Sequence, residues 1–168
     1  MSRMTLFRLA LCVVSVLAGF SAEAAPLKIA VFDFELVNTS TGDPPNAAEK
    51  QRLAMLSDRL REALGADKTF AVVDIAPVRE RVAETRLQAC GNCDRSFAET
   101  VGADLSMVPV IHKMSELILN ISIAVRDVKT GRIIAGFNAD IRSNTDRSWQ
   151  KGLDWLLVNR ILPKDTAQ

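Results

Sequence analysis

Gln88-Ala-Cys-Gly-Asn-Cys-Asp94 sets two cysteines three apart, next to an Asp that can open a helix. That spacing serves three chemistries: a dithiol that exchanges with other disulfides, half of a tetrahedral metal site, or a covalent staple across a turn. Thioredoxin-type pairs follow a buried strand and put the first cysteine at a helix start. Here a helical segment precedes Cys90, and Asp94 places negative charge where a thiolate would form. A helix starting at Asp94 argues the other way, because its N-terminal dipole favours a thiolate on Cys93, so thiol-disulfide chemistry stands as the alternative reading. For a metal, His112 is the only histidine and there is no second cysteine pair, so the expectation is no metal and no other cofactor. The favoured reading is a Cys90 to Cys93 disulfide that shapes a turn between two helices and contributes about 2 kcal/mol, because the loop it closes is small.

Asp33 and Glu35 lie two apart on a strand and so share a face near its C-terminal end, where α/β folds often bind ligands. His112 at a strand end has no Gly-x-Ser-x-Gly elbow or other nucleophile motif beside it, and Thr41-Gly42 lacks the Lys and spacing of a phosphate loop. No residue is assigned a catalytic role. The remaining candidates are Asn120, Ser122, Asn138 and Asp140, on one face of two alternating strands, beside apolar Ile118 and Ile134. A face of that mixture either sits under a helix or meets a partner.

The compartment follows from the N-terminus. Arg3 and Arg8 precede the apolar run from Leu9 to Phe20, and Ala22-Glu-Ala24 supplies small residues for a signal peptidase. Residues 1–24 therefore read as a Sec-type signal peptide, cleaved after Ala24, with Cys12 leaving in it and no membrane span remaining. The protein is expected in the periplasm or outside the cell, where cysteines are normally paired. Two of the 21 basic and one of the 20 acidic side chains leave with the peptide, so the mature chain is formally neutral. Its charges are interspersed, which excludes a nucleic-acid partner dependent on a clustered cationic surface. The expected partner is an envelope protein or a small ligand.

Residues 25–168 are enough for one compact domain. Lys28 to Leu36 is apolar on both faces until Asp33, as in a covered central strand. Asn46-Ala-Ala-Glu49 has capping-box character and leads into Leu53, Leu56, Leu60 and Leu64 at helical spacing, with Gly65 as the stop. Phe70 to Asp74 reads as a short strand, Pro77 opens a second helix through about Gln88, and a third runs from Asp94 to Val101. Leu105 to Ile111 joins the sheet, with Pro109 arguing for an edge or a bulge. Glu116 to Arg126 and Arg132 to Arg142 alternate cleanly around the turn Asp127-Val-Lys-Thr-Gly131, forming a long antiparallel hairpin. Ile133, Ala135, Phe137, Ala139 and Ile141 are expected on its aliphatic face. A terminal helix from about Asn144 buries Trp149, Leu153, Leu156 and Ile161. The fold class is α/β with a mixed sheet, in the order βαβααβββα.

Val31-Phe-Asp-Phe34, Phe70-Ala-Val-Val-Asp74, Val101-Gly-Ala-Asp104 and Asp127-Val-Lys-Thr-Gly131, in that order, resemble the N-terminal α/β domain of TolB and related secreted modules, including those of curli secretion. With Cys90-Gly-Asn-Cys93 and Ser143-Asn-Thr-Asp-Arg-Ser-Trp149, the chain is also similar to a family of small secreted proteobacterial proteins known only as a domain of unknown function. The resemblance implies a single TolB-N-like domain over residues 25–168 and brings no catalytic residue. No β-propeller follows, so TolB's role is not implied. The expected function is a non-catalytic interaction or ligand-binding module of the bacterial envelope.

Overall fold

A computed structural model describes residues 25–162; the signal peptide expected at residues 1–24, Cys12 within it, and residues 163–168 lie outside the described residues. One mixed sheet organises the chain. Its strands are β1 (Leu27–Val31), β2 (Glu35–Asn38), β3 (Phe70–Val72), β4 (Leu105–Lys113), β5 (Ile118–Asp127) and β6 (Ile133–Arg142), in the spatial order β3-β1-β4-β5-β6 with β2 also on β4. β1, β2 and β3 join parallel ladders, and the β4–β5–β6 meander is antiparallel. On one face lie α1 (Ala47–Gly65) and α4 (Asp146–Leu156), which a π-helical turn at Leu157–Ile161 extends. There Leu56, Leu60, Leu64, Trp149, Leu153 and Leu156 pack on Ile121, Ile123 and Met107. The other face carries α2 (Arg79–Ala83) and α3 (Cys93–Thr100), over a smaller core of Phe32, Val78, Val82, Ala98, Val108 and Val110. Among the described residues no helix is long and apolar enough to cross a membrane.

The first expected strand is two. β1 stops at Val31, and the Phe34 N–H leaves the ladder to bond the Ser57 hydroxyl at 2.9 Å, before β2 resumes on the far half of β4. This break also corrects the reading of Pro109, because β4 is central and continuous rather than an edge or a bulge. Met107 accepts the Phe32 N–H, so Pro109, two residues on, turns its backbone to the same side. It faces the gap between the Val31↔Met107 and Glu35↔Val110 pairs, where a missing N–H costs no ladder bond.

The second expected helix, Pro77 to Gln88, shortens to α2. Glu35 reaches over from β2 and accepts the N–H groups of Leu87 (2.8 Å) and Gln88 (3.4 Å), holding that segment as a turn instead of a last helical coil. α1 begins as its sequence suggests. Asn46 accepts the Glu49 N–H and Glu49 the Asn46 N–H, both at 2.9 Å. In the hairpin a bulge at Val125/Arg126 pairs Arg126 with Ile133, which moves Ile133 from the expected aliphatic face to that of Arg126 and leaves Ile134 without a register partner.

Candidate functional site

The polar face of the hairpin is assembled by its register. Asn120 stands opposite Asp140, Ser122 opposite Asn138 and Ala124 opposite Gly136. The Asn120 amide donates to Asp140 at 2.9 Å, and the Ser122 hydroxyl lies 3.0 Å from Nε2 of His112 on β4. α3, with eight residues or about 12 Å of helix, packs mainly on β4. What remains is a groove of about 430 Å³ whose floor is His112, Ser122, Ala124 and Asn138, and whose wall is the Leu87 to Gly91 turn. Ile133 at its end is 58% exposed, and Ile134, next to it in the bulge, is 57% exposed. The four polar candidates thus stand together, with Ile134 at the bulge beside them.

The wall is rigid. Cys90 and Cys93 are joined, with Cα atoms 5.8 Å apart, and Gly91 between them takes φ +76°, a conformation glycine reaches without a Cβ penalty. Asp94 is buried, accepting the Ser106 hydroxyl at 2.5 Å and Arg126 Nε at 2.9 Å. Arg126 in turn donates to the Gly131 carbonyl at 2.7 Å, and Arg95 to the Val128 carbonyl at 2.6 Å. The cysteine turn, α3 and the hairpin turn are therefore one hydrogen-bonded body. Nothing in the sequence pairs Asp94 with Arg126, which lie 32 residues apart.

Asp33 and Glu35 go to different partners. Asp33, in the β1–β2 break, meets Arg61 at 2.5 Å and Arg79 at 3.5 Å, whereas Glu35 is engaged by the Leu87–Gln88 backbone. Both border a second cleft of about 660 Å³, together with Asn38, Asp43 and Arg86. The Gln88 turn separates it from the hairpin groove.

Residues 27–161 match the model of the DUF3280 family, described as Protein of unknown function (DUF2380). The chain belongs to this family. No curated protein matches the sequence. Among solved structures, this DUF3280 chain is similar to the LpoB C-terminal domain from Salmonella enterica, at TM-score 0.52 and 15% identity, covering 73% of this chain and 87% of that one. It is also similar to lipoprotein GNA1162 from Neisseria meningitidis, at TM-score 0.52 and 18% identity, covering 84% and 100%. TolB from Acinetobacter baumannii aligns at TM-score 0.42 and 14% identity, over 82% of this chain and 29% of that. At such identities the likeness to the LpoB domain and to GNA1162 is one of fold.

A second polar cluster in the DUF3280 chain involves the Ser143 to Trp149 motif. Lys113, at the end of β4, is 6% exposed and donates to Glu49 at 2.8 Å and to Glu116. Asn144 donates to the same Glu49 oxygen at 2.7 Å and to Glu116 at 2.9 Å. Arg52 closes the cluster on Asn144 (3.0 Å) and Asp146 (2.6 Å). Burial opposes ionisation of Glu49, but the Lys113 ammonium and the Asn46 and Asn144 donors outweigh it and hold its carboxyl below the ordinary range. The bonds to Glu116 and Glu49 raise Lys113. With every member paired, the cluster ties the N-terminus of α1 to the β4–β5 turn and to the start of α4, and its chemistry is structural.

Proposed function

We propose that this protein is a non-catalytic module of the bacterial envelope, exported by residues 1–24 and mature from Ala25, that binds an envelope protein or a small ligand on the open hairpin face. The observation that carries the reading is the groove: paired polar side chains on its floor, exposed Ile133 at one end with exposed Ile134 beside it in the bulge, and a disulfide-braced wall. Such a patch is shaped for contact, since an apolar pair rimmed by polar groups gains by losing water while the rim supplies direction. The fold shared with lipoprotein GNA1162 supports an envelope setting.

The test is Ile134→Asp in the mature protein. Because Ile134 is exposed and outside the ladder register, the variant should melt within about 2 °C of the wild type, while capture of envelope partners by the immobilised protein weakens. A large fall in the melting temperature would show the position to be core. Unchanged capture would remove the face from the function, and insulin reduction dependent on Cys90 and Cys93 would move the assignment to thiol-disulfide exchange.

A further inference from the structure

β6 is the outer strand of the sheet, and among the described residues nothing pairs with its free side. The direction of its backbone groups follows from the registers. Met107 turns its carbonyl to Phe32, so odd-numbered β4 residues face β1 and β2, and even-numbered ones face β5. Val108 pairs with Ala124, so even-numbered β5 residues bond to β4 and odd-numbered ones to β6. Ile123↔Phe137 and Ile121↔Ala139 are then the bonded pairs of the hairpin, in agreement with the Ser143 N–H donating to the Leu117 carbonyl. Gly136, Asn138 and Asp140 therefore point N–H and C=O groups outward, as does Arg142, whose carbonyl already accepts the Ser148 hydroxyl at 2.6 Å. No proline guards this edge, and the bulge that distorts it lies at the Ile133–Ile134 end only. The same side opens onto a cleft of about 480 Å³, bordered by Asn138 to Arg142 and by Lys151 and Trp155 of α4, with Trp155 49% exposed.

We propose that a second copy of this chain occupies that edge, β6 against β6 in antiparallel order about a two-fold axis at Ala139. The regular stretch from Gly136 to Arg142 is centred on Ala139, so this register pairs Asn138 with Asp140 and Gly136 with Arg142 of the other copy, each twice, the Arg142 carbonyl being shared with the Ser148 hydroxyl. The side chains agree with it. The Asn138 amide faces a carboxylate, and Gly136 leaves open space, with nothing within 4 Å of where a Cβ would stand, for the long Arg142 opposite. Arg142 makes no salt bridge among the described residues. On the other face Phe137 meets Ile141, and Ala139 meets its own copy at the axis, where the strands come closest. The half-buried Ala135, Phe137 and Ala139 lose their remaining exposure. The α4 cleft and the groove lie on opposite sides of the hairpin and share Asn138, so the pairing also borders the groove.

Two variants of the mature protein test the register. Asn138→Pro removes an outward N–H and leaves the β5 ladder intact, so light scattering at about 500 µM should show dimer for the wild type and monomer for the variant, with similar melting curves. Ala139→Cys places the only unpaired thiols opposite one another in a non-bonded pair, with Cα atoms about 4.5 Å apart and within disulfide range, and should form a covalent dimer on mild oxidation. Asn138→Cys, whose partner is Asp140, should cross-link at least tenfold more slowly. A wild type that stays monomeric at that concentration, a dimer that persists in folded Asn138→Pro, or equal cross-linking of the two cysteine variants would overturn the proposal. Should Asn138→Pro fail to fold, the cross-linking comparison decides.

Discussion

Gly152 seats α4 on the sheet, and replacing it with Ala sets two effects of opposite sign against each other. On helix propensity alone, Gly→Ala in the middle of α4 should stabilise by about 1 kcal/mol. The added Cβ, however, would stand 2.3 Å from Cγ2 of Ile141 and 3.1 Å from Cδ1 of Ile121, against an ordinary carbon contact of about 3.5–4.0 Å. Neither side chain has room to retreat: Ile141 is 4% exposed, Ile121 is fully buried, and Trp149 and Leu153 flank the contact. Overpacking of this kind costs about 1–3 kcal/mol, and a gap short by more than an ångström belongs at the upper end. The net expectation is a loss of about 1–2 kcal/mol, or about 3–8 °C in melting temperature for a chain of this size. Urea unfolding followed by circular dichroism, at constant slope, measures it. Ile141→Ala removes the obstructing methyl and alone costs about 2–4 kcal/mol. In the Ile141→Ala background, Gly152→Ala should become neutral or stabilising, a coupling of at least about 1 kcal/mol. A Gly152→Ala protein more stable than wild type, or one whose cost is unchanged by Ile141→Ala, would refute the close packing of α4 on β6.

Glu49 titrates below its ordinary value in the folded protein, so its contribution is present above about pH 4.3 and is lost as pH falls through the lower folded value; Glu49→Gln should flatten the urea midpoint measured from pH 6 to pH 3. Asp94→Ala strands the half-buried Arg126 and should cost about 3 kcal/mol by chemical unfolding, much more than an exposed carboxylate such as Asp58, whose removal should change little. Replacing Cys90 and Cys93 together by Ser should lower stability by about 2 kcal/mol or less and leave the far-ultraviolet spectrum native, while thiol titration of the denatured wild type without reductant finds no free thiol.

Elements whose side-chain period is set within one segment were legible without a partner. The alternation from Glu116 to Arg142 requires only that successive strand residues face opposite ways, and the leucines of α1 and the Asn46–Glu49 capping box are spaced by the helix itself. The Cys90–Cys93 bond is equally local, since three residues of separation bring the two within reach in a turn. Tertiary structure decided whatever depends on a second segment arriving. Lys28 to Leu36 is continuous in hydrophobicity, yet it is two strands, because Ser57 takes the Phe34 N–H and β4 offers separate ladders to each half. The helix expected through Gln88 ends at Ala83 because a carboxylate 52 residues away, Glu35, captures the Leu87 N–H. The Asp94–Arg126 and Glu49–Lys113 pairs, and the bulge that turns Ile133 to the polar face, join residues that no spacing rule connects. The polar face of the hairpin was readable in the alternation of its residues; that a groove lies open on it depends on where α3 and the Leu87 to Gly91 turn pack against the sheet, which only the folded chain contains.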